Sequence, residues 1–178
     1  MRFRFSRDRA LLLLGFWRGF RSDELCRLRI EHMTVQPGEG LTLYLPTSKG
    51  DRENRGCTYR APALHRLCPV EAIEAWRALD QRPNGPLFPA IDRWGAIAET
   101  AMNPGSINKW LRQLLHKAGI EAPELYSSHS LRRGFAGWAN ANQWDVKSLM
   151  QYVGWRDVQS ALRYIDGPND FAAFRALK

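Results

Sequence analysis

The stretch MTVQPGEGLTLYLP, residues 33–46, decides the predicted fold class. Apolar and polar residues alternate on both sides of a Pro-Gly-Glu-Gly turn, which is the pattern of a β-hairpin. A polar turn, TSKGDRENRG at 47–56, follows and leads into a third strand candidate, CTYRAPA at 57–63. The sequence therefore predicts a small three-stranded antiparallel sheet early in the chain.

Helical patterns lie on both sides of this sheet. Residues 7–19 have apolar positions on most faces and predict a buried helix, and Ser22 is the predicted N-cap of a short helix through Ile30. A Pro- and Gly-rich stretch at 81–105 is predicted to be a loop. The sequence predicts the α+β class, a mainly helical single domain over residues 1–178. The other predicted helices are 69–79, Ser106 to Lys117, HSLRRGFAGWANA with Ser128 as N-cap, 145–153 closed by Gly154, 158–165 and FAAFRALK at 171–178.

The chain is strongly basic. Its 26 Lys and Arg residues against 18 Asp and Glu residues give a formal net charge of +8. This charge favours a polyanionic partner, because each phosphate that a cation neutralises releases counterions. The alternative is that 21 arginines against 5 lysines reflect the base composition of the genome. Charge alone therefore leaves nucleic acid as one option among others.

No segment indicates export or membrane insertion. The longest apolar run, ALLLLGFW at 10–17, is shorter than the roughly 20 residues that a membrane-spanning helix needs. The basic start, MRFRFSRDRA, lacks a small-residue cleavage site. We expect a cytoplasmic protein without a membrane partner.

Cysteines and carboxylates point away from a metal centre. Cys26, Cys57 and Cys68 form no CxxC pair, so neither a disulfide framework nor a zinc site is predicted, although His65 lies close to the last two. The sequence also lacks the clustered carboxylates that a two-metal nuclease uses. We therefore predict neither a metal nor any other cofactor.

Basic residues near helix starts and in one turn are the candidates for binding an anion. His129 and Arg132 share a face in the first turns of a helix, where the helix dipole favours an anion. Arg21 precedes another predicted helix start, with Glu24 three residues later, and Lys49 lies at the tip of the polar turn. For each residue the ordinary alternative is a solvated surface position. Lys49 differs from an arginine because an ammonium group can donate its proton.

The stretch GWRDVQSALRY, residues 154–164, contains a well-placed hydroxyl. Tyr164 follows Trp155 by nine residues (164 − 155) on a predicted helix. It is either half-buried packing or a nucleophile. Trp155 either covers an edge of the core or donates a hydrogen bond through its indole N–H. Together with the basic candidates, these residues supply the donors that could surround a phosphodiester and the hydroxyl that could attack it.

Taken in order, these segments resemble the catalytic domain of the tyrosine recombinases, the phage integrase family. GFRSDELCRL is similar to the segment with the first catalytic arginine, LPTSKGDRENRG to the β-hairpin lysine segment, HSLRRGFAGWA to the HxxR box and LMQYVGWRDVQSALRYI to the final motif. The resemblance covers roughly residues 7–166. It implies the fold of that family. It also implies site-specific cleavage and rejoining of double-stranded DNA through a 3′-phosphotyrosyl link, without metal or ATP.

The resemblance implies a role for each candidate residue. Arg21 and Arg132 would bind the non-bridging oxygens of the scissile phosphate, with Glu24 supporting them. Tyr164 would be the nucleophile. The remaining roles concern proton transfer and charge: Lys49 would protonate the departing 5′ oxygen, His129 would assist proton transfer and Trp155 would donate a hydrogen bond to the phosphate.

The chain departs from the family pattern in two respects. Many members have histidine where this chain has Trp155, so hydrogen bonding would survive at this position while acid–base capacity would not. Members usually carry an N-terminal core-binding domain that closes a clamp around DNA, and we expect this domain to be absent from the chain. DNA binding by the chain alone is therefore expected to be weak and sensitive to salt.

The end of the chain is a candidate for self-association. Phe171, Phe174 and Leu177 give the last predicted helix an apolar stripe. In the family this segment commonly docks on a neighbouring protomer, and the alternative is packing on its own core. We expect self-association on DNA, which is a synaptic tetramer in the family, and a bacterial, phage or mobile-element origin with a place at the nucleoid.

Two other functions compete with recombination. A type IB topoisomerase uses a similar set of Arg, Lys, Arg and Tyr residues but relaxes supercoils without recombination. A catalytically silent DNA-binding module would keep the basic face of the protein. Such a relic should have lost part of the catalytic set, and the set is intact in this sequence.

Overall fold

The computed structural model describes residues 2–36, 38–47, 56–155 and 157–165. The chain forms two compact units, residues 1–135 and 136–178.

The first unit confirms the predicted mainly helical α+β architecture with a small antiparallel sheet. Helices α1 and α3 pack against each other and against strand β3. Helix α5 begins in this unit and ends in the second. The elements are α1 (Arg2–Arg18), α2 (Ser22–Arg27), β1 (Met33–Gln36), β2 (Gly40–Leu45), β3 (Cys57–Pro62), α3 (Pro69–Asp80), β4 (Pro89–Ile91), β5 (Ile97–Ala101), α4 (Ile107–Lys117) and α5 (Ser128–Ala141).

The three-stranded sheet has the order β1-β2-β3, and both pairings are antiparallel. Leu41 pairs with Val35 on one side and with Ala61 on the other. Leu41 and Leu43 are buried whereas Tyr44 is 40% exposed, because successive side chains of a strand point to opposite faces. The alternation that predicted the hairpin thus recurs as an alternation of burial along β2.

The core of the first unit lies between α1, α3 and the sheet. Leu11 and Leu14 of α1 and Ile73 and Trp76 of α3 are all fully buried. The indole N–H of Trp76 donates to the carbonyl oxygen of Leu87 at 2.8 Å, so this large side chain is buried with its polar atom satisfied.

Helix α2 ends earlier than predicted. The sequence predicted a helix through Ile30, but α2 ends at Arg27. The N–H of Ile30 donates to the carbonyl of Gly85, and the carbonyl of Leu28 accepts from the N–H of Leu87, both at 2.9 Å. These long-range bonds extend the backbone after α2, so tertiary pairing overrides local helix propensity.

The start of α4 also differs in its capping. Ser106 was the predicted N-cap, but its hydroxyl donates instead to the carbonyl of Asn103 at 2.7 Å. The side chain of Asn103 accepts the N–H of Gly105 at 2.8 Å and so caps a 3-10 turn, Pro104–Ser106. The helix that follows has the predicted extent, Ile107–Lys117.

A second sheet lies where the sequence predicted a loop. Strands β4 and β5 pair antiparallel with an irregular register. The side chain of Asp92 accepts the N–H groups of Trp94 and Ala96, both at 2.9 Å, and closes the turn between them. β4 is too short to show an alternating pattern of apolar and polar residues. The spacing of apolar residues also gives no information about side-chain hydrogen bonds such as those of Asp92.

The second unit contains the end of α5 and two further helices, α6 (Val146–Val153) and α7 (Val158–Ile165), both as predicted. The side chain of Asp145 caps α6 by accepting a backbone N–H at 2.9 Å. Gly154 ends α6 with a left-handed φ of 77°. The predicted helix at 171–178 lies outside the described residues. In the described part of the chain, no helix combines the length and apolar character needed to cross a membrane.

Two glycines offer a matched test of the packing. A Cβ on Gly40 would lie 2.7 Å from the carbonyl oxygen of Ala61, whereas a Cβ on Gly137, within α5, would meet nothing within 4 Å. We expect Gly40→Ala to lower the free energy of unfolding by about 1–3 kcal/mol. Gly137→Ala should raise it by about 0.5–1 kcal/mol, because alanine loses less backbone entropy in a helix. Urea unfolding followed by circular dichroism measures both, and equal effects would contradict the register of β2 and β3.

Candidate active site

Arg21 occupies the N-cap position of α2, where Ser22 was predicted. The N–H of Arg21 donates to Oε2 of Glu24 at 2.8 Å, and one guanidinium nitrogen donates to Oε1 at 2.9 Å. The carboxylate thus lies in the first turn of the helix, where the dipole favours a negative charge. Glu24 is buried, while the side chain of Arg21 is 37% exposed. The carboxylate holds Arg21 from the protein side and leaves part of the guanidinium accessible.

Arg132 reaches the same carboxylate from a distant part of the first unit. Its Nη1 atom donates to the carbonyl oxygen of Gly19 at 2.8 Å and lies 4.0 Å from Oε2 of Glu24. The side chain of Arg132 is only 2% exposed. A buried charge costs several kcal/mol unless it is paired and hydrogen-bonded. The carbonyl and the carboxylate supply that compensation, so Arg132 is held in a defined position.

The cluster of Arg21, Glu24 and Arg132 carries a surplus of positive charge. Two guanidinium groups and one carboxylate give a formal sum of +1 (2 − 1). Guanidinium groups bind phosphate oxygens in a planar, two-pronged geometry. The arrangement therefore has the charge and the donor type to bind a single phosphodiester.

His129 lies on an exposed part of the first turn of α5. The helix begins at Ser128, which was predicted to precede it as the N-cap. The N–H of Ser127 donates to Oγ of Ser130 at 3.0 Å, and the N–H of Ser128 donates to Oδ1 of Asn108 at 2.8 Å. The helix start is thus satisfied from α4 and from its own first turn, not by the hydroxyl of Ser128.

Lys49 lies outside the described residues. It belongs to the connection between β2 and β3, which are paired as far as Leu45 and Cys57. On the near side of this connection, the hydroxyl of Thr47 accepts a hydrogen bond from the guanidinium of Arg27 on α2. The assignment of Lys49 therefore remains a prediction from the sequence.

Trp155 and Tyr164 belong to the second unit. Trp155 follows the glycine that ends α6 and is 7% exposed. Its backbone N–H donates to the carbonyl oxygen of Met150 at 2.9 Å. Tyr164 is part of α7, and its side chain lies outside the described part of the structure. The structure thus brings Arg21, Glu24 and Arg132 together in the first unit. The catalytic roles of all the candidates stay predictions.

Sequence reasoning missed two contributors to the first unit's site. Gly19 was predicted only as the end of α1, yet its carbonyl binds Arg132, and its left-handed φ of 58° turns the chain towards α2. Asn108 carried no signal at all, because its partner lies 20 residues away. For Gly19, the available clue was a glycine between two predicted helices.

Cys26 and Cys68 are buried. Burial, together with a smaller effect of the Asp23 carboxylate, raises the pKa of the Cys26 thiol to about 12. The sulfur of Cys68 caps α3 by accepting the N–H of Glu71 at 3.5 Å. Across the residues that the structure describes, no three His, Cys, Asp or Glu side chains are grouped as metal ligands.

Comparison with known proteins identifies the family. The sequence model of the phage integrase family matches residues 4–169. The chain therefore belongs to the phage integrase family.

Two relatives illustrate how far the likeness extends. The "Integrase/recombinase xerD homolog" of Selenomonas ruminantium is 31% identical over 167 residues, which cover 93% of this chain and 48% of the relative. The type 1 fimbriae regulatory protein FimB of Escherichia coli K12 is 24% identical over 160 residues, covering 89% of this chain and 72% of FimB. The chain thus spans about half of the length of the XerD homologue.

Solved structures share the fold. The crystal structure of XerA recombinase superposes with a TM-score of 0.71 at 22% identity, over 97% of this chain and 55% of XerA. XerH site-specific recombinase bound to palindromic difH substrate gives a TM-score of 0.67 at 17% identity, over 96% of this chain and 45% of XerH. The fold is that of the tyrosine recombinase catalytic domain.

Proposed function

We propose that this chain is the catalytic domain of a site-specific DNA recombinase that cleaves and rejoins strands through a 3′-phosphotyrosyl intermediate. The observation that carries the proposal is the pair of arginines, Arg21 and Arg132, which contact one buried carboxylate from positions 111 residues apart (132 − 21). Such a pair suits the pentacoordinate phosphorus of a phosphoryl transfer, where negative charge develops on the non-bridging oxygens.

The first half of the reaction transfers a strand to the protein. The phenolic oxygen of Tyr164 loses its proton and attacks the scissile phosphorus, while the bond from phosphorus to the 5′ oxygen breaks. The 3′ phosphate becomes bound to Tyr164, and Lys49 donates a proton to the departing 5′ oxygen. His129 assists the proton transfers, and the indole N–H of Trp155 donates to a phosphate oxygen.

The second half of the reaction reverses these steps with another DNA end. Its 5′ hydroxyl attacks the phosphotyrosyl phosphorus, and Tyr164 regains its proton as the leaving group. The number of phosphodiester bonds is conserved, so no ATP is required. Arginine and lysine side chains supply the charge stabilisation, so the proposed reaction needs no metal ion.

Double-stranded DNA is the proposed partner, with self-association on it. The basic balance of the chain supports this partner. So do the solved relatives: XerH is bound to its difH substrate, and the Tn1549 transposon integrase is in complex with circular intermediate DNA. The chain matches 48% of the length of the XerD homologue, and we propose that the clamp around DNA needs a domain beyond the matched part.

Binding by this chain alone should be dominated by phosphate contacts. We expect the dissociation constant for a 30-bp duplex to rise roughly 10³-fold between 50 and 200 mM salt, as six or more neutralised phosphates imply. Fluorescence anisotropy with a labelled duplex measures the slope. Tight, salt-independent binding at 150 mM salt would contradict this expectation.

Trapping the covalent intermediate tests the function. The chain is incubated with a library of nicked duplexes that carry a randomised segment, in EDTA and without nucleotide. The nick releases a short leaving strand, which prevents rejoining. We expect adducts that resist denaturation and enrich one sequence. The absence of any adduct would overturn the proposal, and relaxation of supercoiled plasmid without strand exchange would assign the chain to topoisomerase chemistry.

A further inference from the structure

Asn108 lies on α4, outside every motif of the proposed site, but it is bonded to the helix that carries two of its residues. Oδ1 of Asn108 accepts the N–H of Ser128, the first residue of α5, at 2.8 Å. One turn further along α4, Nε of Arg112 donates to the carbonyl of Tyr126 at 2.9 Å. Side chains four residues apart share a face of a helix. This face of α4 therefore holds the segment that enters α5.

The core side of α4 keeps this face in place. Ile107 and Leu111 are buried, at 0% and 1% exposure. Asn108 is next to Ile107 in the first turn, so its side chain starts from an anchored backbone. A first-turn N–H has no partner within its own helix, and an acceptor from outside is worth about as much as an N-cap. Asn108 serves as that acceptor for α5.

The first turns of α5 have two anchors of different kinds. Arg132 is buried, and its guanidinium is bonded to the carbonyl of Gly19. Ser128 is bonded to Asn108. His129 lies between these anchors and is itself exposed, so the packing of its own side chain holds it only weakly. The hydrogen bond at Ser128 therefore matters more for the backbone position of His129 than for the position of Arg132, which has its own bond to Gly19.

We propose that Asn108 is a positioning residue for His129, acting through the backbone of the first turn of α5. This inference rests on the proposed function, because it assigns His129 a part in proton transfer. Without the acceptor, the first turn of α5 frays, as unsatisfied helix ends do. Arg132 stays bound to Gly19, so phosphate binding survives while the alignment of the imidazole is lost.

The experiment is a double-mutant cycle on strand cleavage. The chain is saturated with the nicked duplex recovered from the trapping experiment, and the first-order rate of adduct formation is measured. We expect Asn108→Ala to slow the rate about tenfold, because small misplacements of a catalytic group are costly. The dissociation constant for DNA should stay within about twofold. His129→Ala should slow the rate about 10²-fold, the lower end of the range for general acid–base catalysis.

The double variant distinguishes positioning from a general loss of structure. In the His129→Ala background, Asn108→Ala should have no further effect, because both changes remove the same group. Asn108→Asp keeps an oxygen acceptor at a helix start and should restore the rate to within about threefold of the unmodified chain. Gln113→Ala, an exposed amide on the same helix, is the matched control and should leave the rate unchanged.

Hydrogen exchange of the Ser128 amide gives a readout that does not depend on activity. It should quicken about fivefold in Asn108→Ala and stay unchanged in Gln113→Ala. If the two substitutions slow adduct formation independently, so that their effects multiply in the double variant, the positioning role of Asn108 is overturned. The same follows if Asn108→Ala cleaves at the normal rate. Neither result would contradict the proposed function. If the unmodified chain forms no adduct, the proposed function falls, and the inference falls with it.

Discussion

Tyr164→Phe is expected to abolish the covalent protein–DNA adduct, with a loss of at least about 10⁴-fold in the rate of its formation. Phenylalanine keeps the ring and the helical position on α7 but lacks the oxygen that we propose bonds to phosphorus. DNA binding should be unchanged, because the phenol contributes little to the affinity for the backbone. Denaturing gels of the trapped reaction measure the adduct, and anisotropy measures the binding.

Tyr152→Phe is the matched control for this change. Tyr152 lies on α6 in the same unit, and its ring packs edge-to-face on Trp144 with centroids 5.3 Å apart. Phenylalanine preserves that contact, so the adduct should form at the normal rate. An adduct that persists in Tyr164→Phe and disappears in Tyr152→Phe would show that the nucleophile is Tyr152 on α6. That result would contradict our interpretation of the final motif.

Glu24→Ala is expected to lower the free energy of unfolding by about 3–5 kcal/mol. The substitution leaves the buried guanidinium of Arg132 without its carboxylate and removes both hydrogen bonds that Glu24 accepts from Arg21. A domain of this size should therefore lose roughly 10 °C or more in Tm. Thermal unfolding followed by circular dichroism measures the shift, and cleavage should be lost together with the ordered cluster.

Asp23→Ala provides the comparison for Glu24. Asp23 is the neighbouring acid in the same helical turn, but its ion pair with Arg27 has side chains that are 49% and 40% exposed. Exposed pairs contribute little, so the free energy of unfolding should change by about 1 kcal/mol or less. Equal losses of unfolding free energy in the two variants would show that Glu24 stabilises the protein only as a first-turn acid. Its burial next to Arg132 would then add no further stability.

Local patterns predicted most of the fold. The alternation in β2 and the end of α6 at Gly154 depend on neighbouring residues alone, and the structure has them at the expected positions. The β4–β5 sheet and the early end of α2 depend on bonds to distant backbone, such as Ile30 to Gly85, which no periodicity records. Local signals are strongest where the chain supplies its own partners.

The candidate site shows the same division. The order of the motifs predicted the site residues, because their spacing resembles that of a known family. The approach of Arg132 to Glu24 requires the fold of the first unit and could be known in advance only through that resemblance. Asn108 belongs to no motif, and its bond to Ser128 became visible only in the structure.

The hydrogen bond from Arg132 to the backbone carbonyl of Gly19 has a consequence for the free energy of the proposed phosphate binding. An arginine side chain that is mobile in the free protein gives up about 2 kcal/mol of rotamer entropy when it is immobilised on a ligand. Arg132 loses this rotamer entropy during folding, because its guanidinium is already hydrogen-bonded at the junction of α1 and α2. Under the proposed function, an incoming phosphate would thus meet a rigid guanidinium, and more of their attraction would remain available to strengthen as the phosphorus becomes five-coordinate.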